Sequence, residues 1–114
     1  MRGFTLIVIG LVGAATPAIA ADRNGYSQIA AGNLSAAERR IVAERRIFPD
    51  RPELMLNLAA VYRNTGRDAQ ARALYTAVLD RPAVAMDLPS GAVASSHDVA
   101  ARALARFSAQ MATR

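Results

Sequence analysis

The sequence predicts a mostly α-helical protein, and three observations support this fold class. Apolar residues recur at three- and four-residue spacings in several segments, which is typical of helices with one buried face. Proline and glycine lie between these segments, where helices end and begin. The chain has no cysteine, so its stability must come from helix packing rather than from disulfides. We expect helices near residues 36–47, 53–65, 68–80 and 97–112.

The first twenty residues have the order of a secretory signal peptide. Arg2 supplies a positive start, residues 4–15 form an apolar run, and residues 18–20 place alanines on either side of one position. An uncleaved N-terminal anchor is the alternative, but this run is short for the ~20 residues that span a bilayer. We therefore expect cleavage after Ala20 and a single periplasmic or secreted domain at residues 21–114.

Composition limits the function classes. The chain has 114 residues, with 14 Arg, no Lys and 9 acidic residues, for a net charge of +5. One His and no Cys exclude a thiolate metal site, a Cys nucleophile and a His pair within one chain. The acidic residues show no metal-ligand spacing, and no glycine-rich phosphate loop is present. We expect no metal, no cofactor and no enzymatic activity.

Helix starts and stops can be assigned individually. Residues 26–31 can form one or two turns that end at Gly32-Asn33, and Ser35 with Glu38 fits a capping box for the next helix. Pro52 suits the first turn of the second long helix, because proline lacks an N–H that would have no partner there. Gly66 ends that helix, and Asp68 is placed to cap the following one.

Residues 84–95 change character. Val84, Met86 and Leu88 alternate with other residues, and Pro89-Ser90-Gly91 has turn chemistry. This pattern predicts a short β-hairpin that lies on the helices, with an irregular loop as the alternative. Ser95 or Ser96 then caps the last helix.

Two helix-turn-helix segments align at an offset of 34 residues. Gly32 aligns with Gly66, Ala37 with Ala71, and Ile41 with Tyr75. The complete unit, near residues 52–82, contains Met55-x-x-Leu58-Ala59-x-x-Tyr62 and Ala71-x-x-x-Tyr75. This period and residue order resemble the tetratricopeptide repeat (TPR), a helix-turn-helix repeat.

The resemblance covers about one and a half repeats. Glu44 stands where the repeat has a small residue, and Ser96 stands at its Tyr position, so the last helix is expected to be a cap. A solenoid usually needs about three repeats, so we expect a compact TPR-like antiparallel bundle or stacking on another protein. The resemblance implies that the leading helix lines a concave partner-binding face. Asn57, Arg63 and Asn64 are its candidate contacts.

The sequence is compatible with two functions, and a third is less well supported. The leading one is an interaction or scaffold module that binds another protein or peptide of the bacterial envelope. The alternative is a basic protein that contacts anionic lipid or polysaccharide through Arg39, Arg40, Arg45 and Arg46. A nucleic-acid partner is not expected, because the signal peptide directs the chain away from it.

The third possibility is a hydrolase centred on His97. Ser95, Ser96, His97 and Asp98 supply the residue types of a catalytic triad. Neighbouring residues at a helix start point in different directions, whereas a triad needs side chains that converge in space. We therefore read this segment as a helix cap.

Overall fold

The computed structural model describes residues 25–88 and 90–112, which form five helices and one two-stranded sheet. The predicted signal peptide, with its cleavage point, lies outside these residues. The fold class is confirmed, because helices dominate and a short antiparallel hairpin follows the third long helix. The elements are α1 (Tyr26–Ala30), α2 (Leu34–Ile47), α3 (Pro52–Asn64), α4 (Asp68–Leu79), β1 (Ala85–Asp87), β2 (Val93–Ser95) and α5 (Ser96–Ala112).

The start of α2 corrects one prediction. Asn33, not Ser35, is the N-cap, and its side chain accepts a hydrogen bond from the backbone N–H of Ala36 at 3.2 Å. Asn and Ser are comparable caps, and the positive φ of Gly32 turns the chain one residue before Asn33. The predicted capping box is therefore wrong. Glu38 instead forms an ion pair with Arg67.

Helix α3 ends at the turn before α4, and Gly66 lies in this turn as predicted. Gly66 takes a φ of 82°, the Gly66 N–H donates to the Arg63 carbonyl, and the Arg67 N–H donates to the Tyr62 carbonyl. These two bonds are those of a Schellman motif. The prediction that Asp68 caps α4 is wrong. Asp68 is instead the first residue of α4, where its negative carboxylate interacts favourably with the positive end of the helix dipole.

Helix α3 is the centre of the bundle, because residues 54–61 are all buried. Met55, Leu56 and Ala59 pack in one cluster with residues of α4, α5 and Met86 of β1. Leu54, Leu58, Ala60 and Val61 pack in a second cluster with residues of α1 and α2. One helix therefore supplies both apolar cores.

The hairpin connects α4 to α5 and contributes to the first cluster. Met86 pairs with Ala94 and is 2% exposed. Beyond the strands, the Val84 N–H donates to Ser96 Oγ at 2.9 Å and the Ser96 N–H donates to the Val84 carbonyl at 2.8 Å. The Ser95 hydroxyl accepts from the Asp98 N–H at 3.0 Å, which is the predicted cap of α5.

Candidate interaction surface

The α2–α3 corner, defined as residues 47–53 with Val84, is the candidate site. Helix α2 ends there, because Phe48 makes the last helical bond, to the Glu44 carbonyl, and Pro49 has no N–H to continue the series. An Arg45 Nη2–H donates to the Pro49 carbonyl at 3.3 Å. Pro52 then opens α3 at a position that needs no donor.

A shallow groove of about 480 Å³ runs along this corner. Its apolar lining includes Ile47, Phe48 and Val84, which are 66%, 36% and 37% exposed. Val93 and Met111 are also exposed, but neither lines this groove. Single exposed apolar residues are ordinary, but these three line one groove although Val84 is distant from Ile47 and Phe48 in the sequence.

The polar rim of the groove carries both charges. Arg81 Nη2 lies 2.7 Å from Asp50 Oδ1, and the Arg51 guanidinium lies 3.9 Å from the centroid of the Phe48 ring. Three buried polar atoms near this corner have no hydrogen-bond partner: Glu53 Oε1, Arg45 Nε and Arg81 Nε. A buried polar atom without a partner costs about 1–3 kcal/mol. Each of these atoms has almost no exposed surface, so they belong to the interior of the corner rather than to its rim.

The predicted arginine cluster divides into two parts. Arg39, Arg40 and Arg46 are exposed, whereas Arg45 is half-buried and bonded to Pro49. At 3.6 residues per turn, Arg39 and Arg46 lie opposite the buried residues Ala37 and Ile41, whereas Arg40 lies at the side of the helix, about 60° from Ala37. Arg40 and Glu44 are four residues apart, a spacing that allows an ion pair on a helix, but none joins them in the described part of the chain.

The predicted concave site needs a correction at Asn57. Asn57 is 0% exposed, within the run of residues 54–61 of α3 that are all buried. The predicted partner contact requires an exposed Asn57, so this part of the prediction is wrong. Asn64 is exposed and Arg63 half-buried at the end of α3, where their role stays a prediction.

The end of α3 also lies near a buried phenol. Burial raises the pKa of Tyr75, and the positive charges of Arg63 and Arg106 act in the opposite direction. The Tyr75 ring packs against Phe107, with the two centroids 6.2 Å apart. Tyr75 is therefore a core residue that fixes α4 against α5.

The segment Ser95–Asp98 does not form a catalytic triad. The Ser95 hydroxyl caps α5, and Ser96 is buried against Val84. His97 Nε2 lies 2.6 Å from the Arg81 carbonyl oxygen. The side chains of Ser95, Ser96 and His97 thus each have a structural contact, in agreement with the reading as a helix cap.

The sequence interpretation missed an ion pair that fastens α2 to the α3–α4 turn. Two N–H groups of Arg67 donate to the two Glu38 oxygens at 2.6 and 3.1 Å, and the Arg67 guanidinium lies 4.6 Å from the centroid of the Tyr62 ring. The hydrogen bond from Arg67 lowers the pKa of Glu38, although partial burial opposes this shift. Glu38 and Arg67 are 29 residues apart, so local spacing gives no signal for the pair.

Other site types are not found in the described residues. No group of His, Cys, Asp or Glu in residues 25–88 and 90–112 could hold a metal ion. No helix in these same ranges is both long and apolar enough to cross a membrane.

Comparisons with known proteins give no match. The chain matches no protein-family model. No curated protein is similar to it, and no solved structure matches its fold. The function must therefore be inferred from the residues of this chain.

Proposed function

We propose that the protein is an exported, non-catalytic TPR-like module that binds a segment of another protein of the bacterial envelope. The observation that carries this proposal is the grouping of Ile47, Phe48 and Val84 around one groove, at the turn between two helices. Apolar side chains that meet in a groove gain free energy when a partner covers them. The proposed contact surface is the α2–α3 corner.

The polar groups of the corner favour a polypeptide occupant. Asp50 and Glu53 lie beside Arg51, so the rim carries both negative and positive groups. A polypeptide backbone offers both N–H donors and carbonyl acceptors, which suits a rim that carries both carboxylate and guanidinium side chains. Arg63 and Asn64 at the end of α3 are a secondary candidate contact.

A pair of double variants tests this proposal. The purified protein is used to capture partners from envelope extract, at low salt and at ~150 mM salt, where exposed charges are screened. The variant Ile47→Ser with Phe48→Ser should lose a partner that the parent retains at the higher salt, because apolar contacts are weakly screened. The control, Val93→Ser with Met111→Ser, removes two other exposed apolar residues and should retain it. Equal capture by both variants would contradict the proposal.

A second candidate function rests on the exposed face of α2. Arg39, Arg40 and Arg46 project from one side of this helix, as residues that contact anionic lipid or polysaccharide do. This function predicts binding to anionic vesicles that is lost at high salt and on replacement of these arginines by Gln. Under this second function, replacing the three arginines would leave the capture of a protein partner by the groove unchanged.

The proposed localisation is tested by intact-mass measurement. Protein recovered from the periplasm should begin at Ala21 if the signal peptide is cleaved after Ala20. A mass that retains residues 1–20 would indicate a membrane-tethered protein.

A further inference from the structure

The groove and the basic face of α2 form one continuous surface, because Ile47 belongs to both. Ile47 lines the groove and is the last residue of α2. At 100° per residue, Ile47 lies about 20° from Arg40 and about 80° from Arg39 around the helix axis. All three side chains are exposed. A partner seated at Ile47 can therefore extend along α2 toward these two guanidinium groups.

The spacing along this surface sets a distance for the partner. Arg40 and Arg39 precede Ile47 by seven and eight residues, which is about 10–12 Å along the helix axis at 1.5 Å per residue. An extended chain advances about 3.3 Å per residue. Groups that contact these arginines would therefore lie about three to four residues from the group that occupies the groove.

The charges differ between the two parts of the surface. Neither Arg39 nor Arg40 forms an ion pair within the described ranges, and Arg39 donates only to Ser35 Oγ at 3.0 Å. Carboxylates are strong partners for such guanidinium groups. The groove itself is lined by Asp50, Arg51 and Glu53, and Asp50 is paired with Arg81, so it offers no excess positive charge to a negative group.

From this arrangement we infer the chemistry of the partner segment. It is extended, it places a neutral apolar side chain in the groove, and it carries carboxylates about three to four residues from that side chain, over Arg39 and Arg40. This inference rests on the proposed function, since it names the partner of that same surface. An anionic bilayer fits less well, because the groove beside these arginines has an apolar lining and no excess positive charge for phosphates.

Labelled synthetic peptides test the inference by fluorescence anisotropy with the purified protein. One peptide carries a Leu with two Glu placed three and four residues away, a second has Gln in place of both Glu, and a third has the same Glu pair moved far from the Leu. The first should bind about tenfold more tightly than the second at ~150 mM salt, with the third closer to the second. Equal binding of the Glu and Gln peptides, or no binding by any peptide, would overturn the inference.

Matched charge variants separate a specific contact from net charge. Arg39→Gln with Arg40→Gln should reduce the affinity for the Glu peptide to that for the Gln peptide. Arg102→Gln with Arg106→Gln removes the same charge from exposed positions of α5 and should change the affinity by less than about twofold. Equal losses for the two pairs would mean that only net charge acts, which contradicts the inference.

Two other outcomes distinguish this inference from the proposed function. If Ile47→Ser weakens all peptides equally, and the Glu and Gln peptides bind alike, the groove binds polypeptides but the acidic chemistry is wrong. If phosphatidylglycerol vesicles bind in a manner that requires Arg39 and Arg40, and no peptide is preferred, the basic face serves a lipid surface and the inference fails. Circular dichroism of each variant should match the parent, because all replaced residues are exposed.

Discussion

Helices α2 and α3 have nearly the same length and lie side by side, yet their surfaces differ. In α3, eight consecutive residues, 54–61, are buried between two core clusters. In α2, Ala37 and Ile41 are the fully buried residues, and the exposed residues include Arg39, Arg40 and Arg46. The first helix of the pair ends in exposed Ile47 and the second begins at Pro52, so the corner between them joins a core element to a surface element.

This difference indicates which positions tolerate substitution and which do not. Because α3 supplies both clusters, a polar substitution there disturbs the packing of every long helix. A substitution on the outer side of α2 meets solvent and leaves the fold intact. The proposed binding surface can therefore vary independently of the core, as the proposed function as an interaction module requires.

The largest effect is expected when a charge is placed in α3. Leu58 is 2% exposed, so Leu58→Asp would bury an unpaired carboxylate and should destabilise the protein by about 4 kcal/mol or more. For a domain of this size, that change should abolish the cooperative thermal transition seen by circular dichroism.

The matched substitution on α2 is Ile47→Asp, at a position that is 66% exposed. It should change the free energy of unfolding by less than about 0.5 kcal/mol. If Leu58→Asp retained the melting temperature of the parent, or if Ile47→Asp unfolded the protein, the contrast between the two helices would be wrong.

A smaller effect is expected where α1 meets the buried side of α2. A Cβ on Gly25 would lie 2.6 Å from Ile41 Cγ1, and Gly25 has a φ of +77°. Gly25→Ala should therefore add overpacking of about 1–3 kcal/mol to the backbone strain. Gly91→Ala, where φ is +92° and the space is open, should add strain alone. Urea unfolding of the two variants measures the difference, and equal destabilisation would mean that α1 does not pack tightly on Ile41.

The smallest effect concerns the ion pair that fastens α2 to the turn after α3. The pKa of Glu38 is lower in the folded protein, so its stabilising effect is present above the ordinary Glu pKa of about 4.3 and is lost as pH falls through the folded value. Glu38→Gln should lower the melting temperature slightly at neutral pH and low salt. The gap between parent and variant should close in acid. A gap that widens in acid would contradict the assignment.

Apolar periodicity and the glycine and proline positions were sufficient to predict α2 to α5 to within two residues at each end. Gly66 was also predicted correctly, because its conformational role is local. The burial of Asn57 was not predicted, since Asn is mostly exposed in proteins, whereas residues 54–61 of α3 are all buried.

The α2–α3 corner was not predicted, because its parts are distant from each other in the sequence. Its groove joins Ile47 and Phe48 to Val84, which the hairpin and the buried Ser96 hold in place. The arginines of α2 were identified in the sequence. The division between Arg45 and the other three depends on the Pro49 carbonyl, a contact that composition does not reveal.

Site-specific photo-cross-linking in living cells tests the central claim, that the partner binds at the α2–α3 corner, most directly. A photo-reactive amino acid replaces Ile47 in one protein and Val93 in another, two positions that are 66% and 65% exposed. The corner should give a discrete adduct with an envelope protein, which disappears when Phe48→Ser is added, and Val93 should give none. An adduct at Val93 with none at Ile47 would contradict the account.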